Sequence, residues 1–172
     1  MMDTEQIGAA FERNARALSQ RPSLGRNTAT TAVRITDGLT CEIEEGPWRL
    51  TADMPPQVGG SGAGPTPGVL GRAALGSCLA IGYALYAAKE GVPLAGVEVV
   101  VEADYDDGAF FGVAEAPPGY LHVRYAVTVY SDAPEADVLR VLDAADAHSA
   151  YLDVFGRAQR LSRTARIVPT AP

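Results

Sequence analysis

The sequence predicts an α+β fold with a mostly antiparallel sheet. Three observations carry that reading. Two β-rich runs, TATTAVRIT and LTCEIEE, meet at Asp37-Gly38, the strongest short-range hairpin signal. The segment Pro67 to Glu90 is almost continuously apolar, with Arg72, Lys89 and Glu90 as its only charges. Two later runs, Gly96 to Tyr105 and Tyr120 to Tyr130, alternate apolar and polar residues with the period of a half-buried strand.

Taken in order, Thr4 to Ser19 places Ile7, Ala10, Phe11, Ala15 and Leu18 at three-to-four spacing, an amphipathic helix that Arg21-Pro22 ends. The hairpin follows, and Gly46-Pro47 turns the chain into a third strand, WRLTADM. In the second strand Leu39, Cys41 and Ile43 share one face, so Cys41 is expected to point to the core. Met54 to Thr66 is a Gly/Pro-rich loop without an ionisable side chain. Thr66-Pro67 then opens a helix with a hydroxyl at N-cap and proline at N1, and Gly91 and Pro93 close it. A helix apolar all round is expected to be buried on all sides, inside the fold or in a dimer interface. DDGAFFGVAEAPPG reads as a long loop between two strands. Asp132 and Glu135 resemble a capping box for a helix carrying Val138, Leu139, Leu142 and Ala145, and a last strand is expected over Leu161 to Val168.

Composition bounds the function. The 172 residues suffice for one domain with a real core, without disulfides or metal. Two cysteines make no disulfide scaffold. The N-terminal segment has no continuous apolar h-region, so no signal peptide is read there. The uncharged run Ala73 to Ala88 is shorter than the roughly 20 residues that span a bilayer. The expectation is a cytoplasmic protein with no membrane partner. A net charge of −7, with 21 acids spread along the chain, argues against a general nucleic-acid binder, which needs a basic patch. No cofactor or metal is expected: His122 and His148 lack metal-site spacing, and Asp104, Asp106 and Asp107 lack the pattern of a calcium loop.

The residue with most chemical potential is Cys78, in AALGSCLAI. Only its thiolate is a nucleophile, and an unassisted thiol has a pKa near 8.5. The dipole of its own helix gives little help, because Cys78 lies about 16 Å from the helix start and the dipole fades within a turn. Arg72, six residues earlier, is roughly 240° round the helix and faces elsewhere within its own chain. The bland reading of Cys78 is a small buried side chain at a helix crossing. His148 and Ser149 offer a base or a hydroxyl, or only an exposed helix histidine and a capping serine. Phe110, Phe111 and Tyr120 either line an apolar pocket or tack a long loop to the surface.

The stretches GGSGAGPTPGVLGRAALGSCLAI, AAKEGVPLAGVEVVVEADYD and SDAPEADVLRVLDAADAHSAYLD, in that order, resemble the OsmC/Ohr superfamily. The likeness runs from about Leu24 to Val168. It implies an OsmC-like domain over 24–172 behind a helical N-terminal extension over 1–23. It also implies antiparallel sheets flanking a long buried central helix in an intertwined homodimer. The activity implied is thiol-dependent reduction of organic or fatty-acid hydroperoxides, with Cys78 at the peroxide-attacking position. The family supplies an arginine from the Gly-rich loop, a glutamate in the first turn of the central helix, and a second, resolving cysteine. Here that second position is Ser149, the glutamate position falls at Gly68 or Val69, and the loop carries no arginine. Activity would therefore need an external thiol reductant. The alternative is a non-catalytic module holding a small apolar ligand at the dimer cleft.

Overall fold

The computed structural model describes residues 4–169, apart from the side chain of Thr36. Helix α1 (Thr4–Gln20) leads into a sheet of β1 (Ala32–Asp37), β2 (Thr40–Glu45) and β3 (Trp48–Ala52). The long helix α2 (Pro67–Glu90) is followed by β4 (Gly96–Asp104), a single turn α3 (Asp107–Phe110), β5 (His122–Tyr130), α4 (Glu135–Asp146) and α5 (Ala150–Gly156). Strands β1-β2-β3 form one antiparallel sheet and β4-β5 another, the latter paired from Gly96–Tyr130 to Asp104–His122. The α+β class and, apart from the turn α3, the order of elements through α4 follow the periodicities in the chain.

Helix α2 organises the molecule. Thr66 Oγ1 accepts the Val69 amide at its start, and Gly91 ends it in the left-handed conformation. Leu75, Leu79, Tyr83 and Ala87, four residues apart, form one buried row. Val97, Val99, Val101, Val123 and Val127 of the two-stranded sheet pack on its first part, and Val141 and Ala145 of α4 complete the core. Each buried leucine contributes about 1.5–3 kcal/mol. By length and composition alone α2 also qualifies to cross a membrane, but this row packs against its own sheet and helices. Helix α1 docks on the far end of α2, with Phe11 edge-on to Tyr86 at 5.4 Å and Lys89 over both rings.

Within the protomer the burial of α2 is one-sided: Val69, Ala73, Ser77, Ile81 and Leu85 form an exposed stripe, with Ile81 61% exposed, the face that the expected dimer interface would cover. Three expectations need correction. Cys41 does not point into a core. Its face of the three-stranded sheet, with Val33, Ile35, Trp48 and Leu50, stays open, and Trp48 is 71% exposed. The capping box is not made: α4 starts at Glu135 with Pro134 at the N-cap and no side-chain cap bond, while Ser131 Oγ donates to the Pro93 carbonyl and accepts the Ala133 amide. No strand forms over 161–168. Those residues have no ladder partner in the protomer, and Leu161 and Ile167 are 90% and 95% exposed. The expected loop after β4 also contains the turn α3, whose N-cap is the Asp106 side chain.

Candidate functional site

Cys78 sits half-buried on α2, between the core residues Leu75 and Leu79, where α2 meets the start of α5. The chain turns sharply after α4, and the Ser149 amide donates to the Asp146 carbonyl at 3.1 Å. This turn makes Ser149 the N-cap of α5, its Oγ accepting the Leu152 amide at 3.3 Å. The same Oγ lies 3.7 Å from Cys78 Sγ. Because the hydroxyl oxygen already accepts from an amide, its own proton is available to the sulfur.

The turn that presents Ser149 is itself tied down. Tyr83 Oη, on α2, donates to Asp146 Oδ1 at 2.7 Å, and Tyr125 Oη, on β5, donates to Asp146 Oδ2 at 3.0 Å. Burial and the adjacent Asp146 carboxylate push the Tyr83 phenol far above its ordinary range. Burial, then Asp146, raises Tyr125 as well. A carboxylate at the C-terminal end of a helix opposes the helix dipole, and two phenol donors offset that.

Not every expected partner comes to the thiol. His148 is exposed, its Nδ1 2.8 Å from the Ala144 carbonyl and its ring stacked on Tyr86 at 5.4 Å. Arg72 reaches the Tyr120 hydroxyl at 3.5 Å, consistent with its rotation on α2. Both cysteines are free, and Cys41 Sγ approaches the Leu39 carbonyl in the three-stranded sheet. Asp104 is paired with Arg124 at 2.7 Å, and Asp106 Oδ1 accepts the Gly108 amide. Among the described residues no cluster of His, Cys, Asp and Glu has the arrangement of a metal site.

The Gly-rich loop is built around an acid that the sequence pattern does not single out. Asp53, at the end of β3, is 1% exposed. Its carboxylate accepts from the Ser61 hydroxyl at 2.6 Å, from the Met54, Ser61 and Ala63 amides, and from the Thr40 hydroxyl. The Ser61 hydroxyl and the backbone amides together hold its pKa far below the usual carboxylate range. The loop wraps so closely that a Cβ at Gly60 would stand 1.8 Å from the Met54 carbonyl oxygen, and one at Gly64 2.6 Å from that of Thr51. A lone acid between a strand and a loop reads as solvated, so only the folded loop reveals its role.

Between this loop, the first turns of α2 and the α3 turn lies an open cavity of about 570 Å³. Phe110, Phe111 and Tyr120 line it together with Arg72. Tyr120 also stacks on Phe155 of α5 at 6.2 Å. Of the two readings of these aromatics, the geometry favours the pocket lining. Cys78 is not among the residues that line it.

Residues 59–162 match the model of a family described as OsmC-like protein. Solved structures share the architecture. An OsmC-like protein from Mycoplasma pneumoniae superposes with a TM-score of 0.65 at 11% identity, covering 76% of this chain and 88% of its own. An organic hydroperoxide resistance protein OsmC from Legionella pneumophila gives 0.54 at 17% identity, covering 75% and 89%. The organic hydroperoxide resistance protein OhrB of Bacillus subtilis gives 0.50 at 16% identity, covering 74% and 90%. No curated protein sequence matches the chain. At these identities the likeness speaks for the fold.

Proposed function

Because this chain belongs to the OsmC-like family, we propose that it reduces organic or fatty-acid hydroperoxides through the single thiol of Cys78, with an external thiol as reductant. The observation that carries the reading is the 3.7 Å approach of Ser149 Oγ to Cys78 Sγ. It joins the family's peroxide-attacking position to the position of its second cysteine. In the reaction the Cys78 thiolate attacks one peroxide oxygen, the O–O bond breaks, and the alcohol leaves after taking up a proton. Cys78 is thereby oxidised to the sulfenic acid. A first external thiol displaces water to give a mixed disulfide, and a second releases Cys78 and leaves as the external disulfide. The sum is ROOH plus two thiols giving ROH, water and one disulfide. Ser149 stands against the sulfur with a hydroxyl, which cannot close an internal disulfide.

The working unit in this reading is a homodimer. The exposed stripe of α2 and the open face of the three-stranded sheet are both apolar, and contiguous exposed apolar surface marks an interface. A second copy would cover both.

A second reading keeps the fold as a binding module without turnover. What favours it is the Gly-rich loop, which is organised around the Asp53 carboxylate rather than around a cation. One assay separates the two. Purified protein and Cys78→Ser are given cumene or linoleic hydroperoxide with excess dithiol. Turnover that disappears in the variant supports the enzyme; no consumption by the wild type leaves the binding module.

A further inference from the structure

We propose that the N-terminal helix α1 is a positioning element for the thiol site, holding the turn that carries Ser149 through the aromatic chain Phe11–Tyr86–His148. The inference rests on the reading of Cys78 as the reactive thiol and names what keeps residue 149 against it. The backbone of the turn leaves that task open. The Ala147 amide donates to the Asp143 carbonyl at 3.1 Å, His148 to Ala145 at 3.0 Å and Ser149 to Asp146 at 3.1 Å. These bonds fold residues 147–149 onto α4, and none of them reaches α2. Side chains make the second attachment. Asp146 reaches α2 through the Tyr83 phenol. His148, the neighbour of Ser149, reaches it by stacking on Tyr86 at 5.4 Å with the ring planes 28° apart. The contact of His148 Nδ1, with the Ala144 carbonyl at 2.8 Å, again returns to α4.

Tyr86 is in turn held by α1. Phe11 stands edge-on to it at 5.4 Å, with 73° between the planes. Lys89 Nζ lies 5.0 Å from the centre of the Tyr86 ring and 5.5 Å from that of Phe11, so one cation caps both faces. Aromatic pairs at these separations are favourable beyond the area they bury. The two helices are also in backbone contact, since a Cβ at Gly8 would stand 2.7 Å from the Ala88 carbonyl oxygen. Helix α1 lies outside residues 59–162, the segment that matches the family model, so the family likeness assigns it no role.

The test measures where the turn stands. In Ser149→Cys, a glutathione redox buffer sets an equilibrium in which one oxidised glutathione yields one internal disulfide on Cys78 and two reduced glutathiones. Its constant reports the effective concentration of one sulfur at the other. Phe11→Ala in that background is expected to lower the constant about three-fold or more, the scale of one aromatic pair. His148→Ala should lower it to a similar extent. The double variant should fall no further than the larger single effect, because both residues act through Tyr86. Gly8→Leu pushes α1 off α2 and leaves every ring of the chain unaltered. It should lower the constant too, and it serves where Phe11→Ala does not fold. No hydroperoxide is added, so a failure of peroxide reduction leaves these values unmoved. An unchanged constant in folded Phe11→Ala or Gly8→Leu, additive losses in the double variant, or no internal disulfide in Ser149→Cys itself would overturn the proposal.

Discussion

Ser149 Oγ stands 3.7 Å from Cys78 Sγ while accepting the Leu152 amide at 3.3 Å, so one hydroxyl serves both a helix cap and a thiol. The two roles separate on mutation. Ser149→Ala should lower stability by about 1 kcal/mol through loss of the cap. It should also change the rate of Cys78 alkylation by iodoacetamide at fixed pH, because the Ser149 hydroxyl is the polar side-chain group in contact with the sulfur. Stopped-time alkylation read by mass spectrometry checks this. Unchanged alkylation would make Ser149 a cap and nothing more.

Ser149→Cys should restore an internal disulfide. The new sulfur would replace an oxygen already at near-contact distance from Cys78 Sγ, so one equivalent of hydroperoxide should give a Cys78-linked disulfide without external thiol. Non-reducing peptide mapping reads the result. A variant that stays fully reduced would mean that Cys78 is not oxidised or that the α5 turn holds the two sulfurs out of line.

The Tyr83–Asp146–Tyr125 cluster predicts an alkaline limit. The Tyr83 phenol is raised above its unfolded value, so its contribution to stability is intact below about pH 10, the free phenol's range, and is lost as pH rises beyond it. In a spectrophotometric titration of the seven tyrosines, Tyr83 should ionise only as the protein unfolds, with Tyr125 also ionising above the ordinary phenol range. Tyr83→Phe should remove that late step. Ionisation of all seven in the folded protein would contradict the assignment.

Asp53 predicts the acid limit, with the opposite sign. Its pKa is depressed in the folded state, so its contribution is present above the unfolded value of about 3.9 and is lost as pH falls below it. Asp53→Asn should flatten the fall of Tm between about pH 4 and pH 2 relative to wild type. It should also raise protease cleavage within Met54–Thr66, because the amides and hydroxyls gathered on two carboxylate oxygens would share a single neutral acceptor beside an NH2 donor.

The exposed α2 stripe predicts association. Sedimentation should show a dimer for the wild type, and Ile81→Arg should shift it toward monomer, since a charge would replace a large apolar group in the covered stripe. A wild-type monomer at micromolar concentration would contradict this.

Most of the architecture is legible in the chain because it is local. Period-two runs, the Asp37-Gly38 turn and the Thr66-Pro67 start name their elements through propensity and capping alone. What escapes is what depends on contacts distant in sequence. Asp53 is an ordinary acid until Ser61 and Ala63, eight and ten positions later, fold back on it. Asp146 lies close in sequence to His148 and Ser149, but its two phenols come from α2 and β5. The missing strand over 161–168 shows the converse: a β-like pattern without a partner ladder stays irregular. At Cys78 the motif marks the position, and only the fold brings Ser149 to it.

In the proposed reaction the Cys78 thiol itself attacks the peroxide. The most direct measurement is a single turnover: reduced protein, one equivalent of linoleic hydroperoxide, no added thiol, then dimedone and peptide mass spectrometry. The prediction is a sulfenic-acid adduct on Cys78, none on Cys41, and one equivalent of the alcohol per oxidised protomer. Unmodified Cys78 beside undiminished hydroperoxide would contradict it.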